Sequence, residues 1–257
     1  MKKNIKIILL VASLLLLVSV AIVYAGVTTT DDTPIKDKVS EASVLESSKL
    51  LKSLNSEPTN LKSKVKFDEL QNKTIYEIEN SKYFIDMDTE NQLVGIHSKE
   101  ISTKLEASKY KKDSASEYIM NKYKELNLPA DYELNYIEKF DDLIWQANFE
   151  KNYNGIYNKY ESVKVYFIPD SDEIVALGAF REAPASYDTS ISLDSAKQTA
   201  SSKDSSEVVA SALSMEKVDD GSIRPVWVVT YSDNNIVYVD AKSNQVVGGD
   251  TIKWEKN

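Results

Sequence analysis

Eighteen residues from Ile7 to Tyr24 carry only two polar side chains, Ser13 and Ser19, and no polar stripe. Such a run does not fit an amphipathic helix of a globular domain. Downstream, the pattern alternates between helical and strand periods. Lys36 to Leu54 has a loose apolar stripe of Val39, Ala42, Leu50, Leu51 and Leu54, ended by Pro58 and Asn60. Asp113 to Asn127 is predicted as a second helix. Ser114 and Glu117 form its capping box, Ala115, Tyr118, Ile119, Tyr123 and Leu126 lie near one face, and Pro129 closes it. A third starts near Ser192, with Leu193, Ala196 and Ala200 at helical spacing. Period two marks the strands: Leu134 and Tyr136; Ile144 and Gln146; Trp145, Ala147 and Phe149; Val163, Val165 and Phe167; Trp227, Val229 and Tyr231. Glu207 to Val218 reads as a further strand.

Three segments share one plan: an aromatic-led strand, an acidic or polar turn, a second apolar strand and a glycine. They run from Tyr83-Phe84-Ile85-Asp86 to Leu93-Val94-Gly95, from Tyr166-Phe167-Ile168-Pro169 to Ala176-Leu177-Gly178, and from Tyr238-Val239-Asp240 to Val246-Val247-Gly248. Upstream, Trp145-Gln-Ala147-Asn-Phe149 parallels Trp227-Val-Val229-Thr-Tyr231. The repeating unit is one helix followed by an antiparallel meander, and a single helix laid across a sheet buries both apolar faces.

The start of the chain adds Lys2, Lys3 and Lys6 before the apolar run, with Val23-Tyr24-Ala25 placing small residues before Gly26. This is the layout of an export signal. Eighteen residues at about 1.5 Å each span roughly 27 Å, close to the hydrocarbon thickness. Two fates therefore stand open: a cleaved signal peptide, or a signal anchor with the lysines inside and the bulk outside. Residues 26–35 follow as a polar tether.

Composition narrows the chemistry. The chain carries 31 basic and 40 acidic residues for a net charge of −9, and without residues 1–25 the balance becomes −12. Arg181 and Arg224 are its two arginines. Arginine is the usual fork for phosphates and base edges, so nucleic acid is not an expected partner. Zero cysteines exclude disulfides, thiol catalysis and cysteine-ligated metals.

Trp227-Val-Val229-Thr-Tyr231, followed by Val237-Tyr238-Val239-Asp240-Ala-Lys-Ser243-Asn244-Gln245-Val246, resembles a PepSY domain, and Ile191 to Ala200 is similar to its opening helix. Asp86-Met-Asp88-Thr89 echoes Asp240-Ala-Lys242-Ser243. The resemblance is good over roughly 190–250, partial over 110–182, and over 36–97 reaches only the last hairpin. Asn244 stands where the family has glycine, Pro169 takes the Asp place in the second unit, and about ten extra residues around Asn154-Gly155 lengthen that unit. The resemblance implies a cystatin-like helix-on-sheet fold in exported bacterial proteins, a role in restraining or assisting peptidases, and no catalytic residues.

His97 is the one histidine, read as a strand-end surface residue without a partner. Asp86 to Asn91 superficially suggests a calcium loop, but its sixth and twelfth positions are Asn91 and His97 rather than glycine and glutamate, so a solvated hairpin turn is expected. No nucleophile elbow, phosphate loop or zincin motif occurs. Tyr153, Tyr157, Tyr160 and Tyr166, near Trp145 and Phe149, are either sheet-face packing or an aromatic peptide- or glycan-binding surface on a protruding hairpin.

The expected fold is α+β, with repeated helix-plus-antiparallel-meander units after an N-terminal membrane-targeting helix. Residues 1–25 form the signal or anchor and 26–35 the tether. Residues 36–110 form a degenerate first unit, 111–186 a second and 187–257 a third that matches best. The expected function is a non-enzymatic extracellular or cell-surface interaction module that binds or restrains a peptidase. The alternatives are a membrane-anchored envelope sensor or assembly factor and, third, a hydrolase with an unrecognised carboxylate site. No catalytic, cofactor-binding or metal-ligating residue is assigned, no cofactor is expected, and the partner is a protein, with membrane contact only through residues 1–25 if they stay uncleaved.

Overall fold

The computed structural model describes residues 38–68, 73–101 and 107–250. The export segment 1–25 and the tether 26–35 lie outside the described residues. In chain order the elements are α1 (Glu41–Ser53), β1 (Lys62–Asp68), β2 (Lys73–Glu79), β3 (Tyr83–Asp88) and β4 (Leu93–Ser98); α2 (Lys112–Glu125), β5 (Tyr132–Lys139), β6 (Trp145–Tyr153), β7 (Ile156–Ile168) and β8 (Glu173–Arg181); then α3 (Leu193–Ser201), β9 (Val208–Lys217), β10 (Ile223–Tyr231), β11 (Ile236–Asp240) and β12 (Val246–Gly248). The class is α+β. Strand order is β1-β2-β3-β4-β8-β7-β6-β5 in one sheet and β12-β11-β10-β9 in the other. Two compact units result: residues 1–126, 139–145 and 165–178, and residues 127–138, 146–164 and 179–257.

In the first unit, α1 starts at Ser40, whose hydroxyl accepts the Ser43 N–H at 3.0 Å, a standard N-cap. The helix packs on β2 and β3. Its buried face is Ser43, Ser47, Leu51 and Leu54; of the stripe read from sequence Leu51 and Leu54 are buried, Val39 and Leu50 are partly buried and Ala42 is exposed, while Leu45 is 58% exposed. Small serines leave room beside strands whose Tyr76, Ile78, Tyr83 and Ile85 are fully buried. β1 and β2 pair from Lys62–Glu79 to Asp68–Lys73, two strands that the sequence pattern did not reveal. The edge strand β1 alternates lysine with Ser63, Val65 and Phe67, of which only Val65 is partly buried and Phe67 is 51% exposed, so no buried apolar period marks it.

α2 begins three residues earlier than its expected cap. Lys111 is the N-cap residue, and the Ser114 hydroxyl, at the third helical position, accepts the Lys111 N–H at 3.1 Å. This is one half of a capping box, since a lysine N-cap has no side-chain acceptor, and Ser114 is the third helical residue rather than the N-cap that pairs with Glu117. Ala115, Ile119, Tyr123 and Leu126 are buried as their spacing predicts, and Lys122 is buried among them.

In the second unit, Ser192 caps α3 by accepting the Ser195 N–H at 3.3 Å. Ala196 and Ala200 pack against Val229, Tyr231, Val237 and Val239, and the Trp227 indole N–H donates to the Ile191 carbonyl at 2.9 Å. Burying each large apolar chain of this set contributes ~1.5–3 kcal/mol. β9 matches the strand expected at 207–218. In β5 the buried residue is Ile137, while Tyr136 is 39% exposed, the reverse of the facing read from Leu134 and Tyr136.

Asparagine takes the left-handed place in most of the turns. Asn154 (φ 55°) and Gly155 (φ 91°) form the two-residue turn joining β6 to β7, as both positive φ values require. Asn244 takes φ 59° at the β11–β12 turn, a left-handed conformation that asparagine tolerates better than most side chains. Pro169 instead starts a short 3₁₀ turn, Pro169–Ser171, closed by Asp172 at φ 51°.

Candidate functional site

An open polar cleft of about 570 Å³ in the first unit is lined by Lys52, Asn55, Tyr118, Asn121, Lys122, Glu125 and Asp172. Asp172 is its centre. The left-handed backbone of the β7–β8 turn aims its carboxylate at the end of α1 and one face of α2. There it accepts from Asn55 Nδ2 at 2.7 Å, the Tyr118 hydroxyl at 2.8 Å and Lys122 Nζ at 2.9 Å. Lys122 also meets Glu125 at 3.0 Å. Burial raises the Asp172 pKa, but the bonds from Lys122, Tyr118 and Asn55 outweigh it and hold the carboxyl below its ordinary range. Lys122 is held above its ordinary value in the same way, its two carboxylate partners outweighing burial. Burial and the bond to Asp172 push Tyr118 up. Each group is therefore fixed in one protonation state around neutrality. The cluster clamps a turn to two helices and offers no acid or base poised to exchange a proton.

A second polar set lies across β1 to β4. Lys64 faces Glu77, Glu77 faces Asp86 and Asp86 faces Gly95 in successive strand registers. Glu77 binds Lys64 at 2.8 Å and also Lys66. His97, within β4 rather than beyond the hairpin, brings Nε2 to 4.0 Å from Asp86 Oδ2, too far for a hydrogen bond. Burial, with a smaller contribution from Lys66, lowers the His97 pKa. Burial raises that of Asp86. The imidazole is neutral at pH 7, so this contact is not a standing ion pair. The two residues singled out in the sequence are thus brought near each other, but without the geometry of a catalytic dyad.

The turn that resembled a calcium loop belongs to Asp88. Its Oδ1 accepts the N–H groups of Glu90 and Gln92 at 2.9 and 2.8 Å. Asp240 does the same for Lys242 and Ser243, both at 2.8 Å, so Asp88 rather than Asp86 is its counterpart. The turn is not wholly solvated, since Asn91 Oδ1 accepts from the Ser43 hydroxyl at 2.8 Å and fastens the hairpin to the start of α1. Among the described residues, no group of three or more His, Asp or Glu side chains is placed to hold a metal ion.

The tyrosines of the second unit take part in the packing of its sheet and stay partly exposed. The Asn154-Gly155 hairpin does not protrude: Ile156 packs with Met215 and Ile223, and Tyr153, Tyr160 and Leu213 lie against them. The Tyr153 hydroxyl binds Glu161, and burial raises it to about 12. The Tyr160 hydroxyl accepts the Lys217 N–H at 3.3 Å, and Tyr157 donates to Glu133 at 3.1 Å. Tyr153 stacks on Tyr187, whose ring is half exposed, at 5.6 Å. These rings cover the sheet.

No family model matches the chain. No curated protein matches it either. Among solved structures, the Bacillus megaterium YpeB C-terminal domain is similar, with a TM-score of 0.51 and 12% identity over 84% of this chain and 98% of that one. This likeness concerns the fold alone, an α+β architecture of helices and antiparallel strands. Among the described residues no helix is long and apolar enough to cross a membrane.

Proposed function

We propose that this chain is a non-enzymatic, exported interaction module of three PepSY-like units, which binds and restrains a peptidase or another cell-envelope protein. The observation that carries the reading is the YpeB-like fold running over 84% of the chain. Two further features support it. A helix followed by four strands occurs three times in chain order. The charged groups of the Asp172 cleft are committed to one another, as the bonds to Asp172 show. Incubating residues 26–257 with proteases from a culture supernatant tests the reading: slower cleavage of a casein substrate is expected. Unchanged proteolysis, together with no retained protein from cell-wall extracts, overturns it.

The second reading is a membrane-anchored envelope sensor or assembly factor, favoured by the length of the Ile7–Tyr24 run. It predicts loss of function when residues 1–25 are replaced by a cleanly cleaved signal. Mass spectrometry of the native N-terminus separates the two, since a start at Gly26 belongs to the first reading and an intact lysine-bearing end to the second.

A further inference from the structure

Asparagine followed by glycine is the pair most open to attack on its own side chain, because glycine has no Cβ to shield the backbone nitrogen that follows the amide. Asn154-Gly155 is this chain's one such pair, and Asn55-Ser56 and Asn80-Ser81 are the next least hindered. The structure separates the three. Asn55 Nδ2 donates to Asp172 at 2.7 Å, and the 5% exposed Asn80 accepts the N–H groups of Lys82 and Tyr83 at 2.9 and 2.8 Å. Asn154 is exposed at the tip of the β6–β7 turn, and among the described residues nothing hydrogen-bonds its side chain.

The reaction open to it is a ring closure. The Gly155 nitrogen gives up its proton and bonds to Asn154 Cγ, the Cγ–Nδ2 bond breaks, and ammonia leaves with a proton. Water then opens the succinimide at either carbonyl, which leaves aspartate or isoaspartate. Each route waits on the Gly155 N–H, and that group is already engaged: it donates to Asn152 Oδ1 at 2.7 Å. Asn152 keeps its oxygen turned that way because its Nδ2 donates to Glu133 Oε2 on β5 at 3.0 Å, and a carboxylate only accepts. The Tyr157 hydroxyl donates to the same oxygen at 3.1 Å. An amide oxygen holds the proton without removing it, since it is no base at neutral pH.

We propose that Asn154 is a self-deamidation site whose rate Asn152 holds down in the folded chain, with Glu133 as the positioning residue behind it. Aspartate at 154 keeps the turn, since it tolerates the left-handed conformation as asparagine does. Isoaspartate does not: it adds a methylene to the backbone of the two-residue turn that sets the β6–β7 register. Ile156, the first residue beyond the turn, packs with Met215 and Ile223, so the change reaches that packing.

The full chain, aged in mildly alkaline buffer and read by peptide mass spectrometry, should deamidate first at Asn154, and more slowly folded than in concentrated urea. Asn152→Ala should speed the step in the folded chain about two- to tenfold, the worth of one neutral hydrogen bond. Asn152→Asp keeps an oxygen for the Gly155 N–H and should hold the wild-type rate. In urea, wild type and Asn152→Ala should react alike. Glu133→Ala leaves Asn152 in place but frees its amide, and should give a smaller acceleration. Deamidation that gathers first at Asn55 or Asn80 overturns the site. An unchanged rate in folded Asn152→Ala, the same acceleration in urea, or equal acceleration by Asn152→Asp overturns the guard, and no effect of Glu133→Ala overturns its positioning role.

Discussion

Gly95 and Gly178 lie directly opposite one another where β4 pairs antiparallel with β8. Each follows by twelve residues the tyrosine that opens its hairpin, Tyr83 or Tyr166. Corresponding positions of two sequence-similar hairpins therefore meet at a local two-fold. This relationship gives the glycines a role that neither hairpin alone explains: they keep the joint between strands thin. A Cβ on Gly95 would stand 3.3 Å from His97 Nε2 and 3.3 Å from the Leu177 carbonyl oxygen.

Gly95→Val should consequently destabilise the first unit by about 2 kcal/mol, the usual cost of overpacking a closed site. Gly95→Ala should cost less, because a shift of a few tenths of an ångström in the imidazole accommodates one methyl group. Urea midpoints of the two variants check the order, and an equal midpoint for valine and wild type contradicts the joint.

Asp172 should be the most sensitive surface carboxylate. Asp172→Ala removes the acceptor for Asn55, Tyr118 and Lys122 and leaves the 5% exposed Lys122 with Glu125 as its remaining ion-pair partner. A loss of about 1–2 kcal/mol is expected, because the Asp172 side chain is 43% exposed and solvent screens its side of the pair. The pH dependence has a definite sign. A folded pKa below the unfolded value of about 3.9 gives stability that is fully present above that value. It is lost as pH falls through the folded value. Asp172→Asn should flatten that part of the acid-unfolding curve, measured by circular dichroism.

Two buried tyrosines separate packing from hydrogen bonding. Tyr118 donates to Asp172 at 2.8 Å, whereas the fully buried Tyr83 hydroxyl has no hydrogen-bond partner among the described residues. Tyr118→Phe should cost about 1.5–3 kcal/mol, the range for a bond to a charged group. Tyr83→Phe should be neutral or stabilising, since it deletes a desolvated hydroxyl that gains nothing. Thermal midpoints of the two variants in one buffer decide between these outcomes.

The fold's legibility followed burial. α2 and α3 announced themselves because Ala115, Ile119 and Tyr123, and Ala196 and Ala200, are both apolar and buried at helical spacing. β1 and β2 did not, because an edge strand guarded by Lys62, Lys64 and Lys66 has no buried apolar alternation, and Glu77 occupies a buried sheet position through its lysine partners. The Asp172 cluster was equally hidden. Its members are separated by as many as 117 residues along the chain, and ordinary Asn, Tyr, Lys and Asp residues acquire meaning only when a left-handed turn brings them together. The buried Lys122 was the one local hint, as a charge on an otherwise apolar face. Asp86 rather than Asp88 was set against Asp240 because sequence spacing cannot show which carboxylate caps a turn.

His97 offers the sharpest check, because the chain has one histidine and hence one imidazole signal. Burial and the neighbouring Lys66 lower its pKa, while Asp86 is itself pushed up by burial and so supplies less of the negative charge that would protonate the ring. Imidazole resonances followed by NMR should therefore titrate below the ordinary value of about 6.5. The linked stability is present above that value and lost as pH falls through the folded one, because the unfolded chain binds the proton first. His97→Gln should remove this slope while changing stability little at pH 7.5, where the ring is neutral in both states. A midpoint above 6.5 would mean that His97 and Asp86 form an ion pair after all, and would return the pair to consideration as a reactive site.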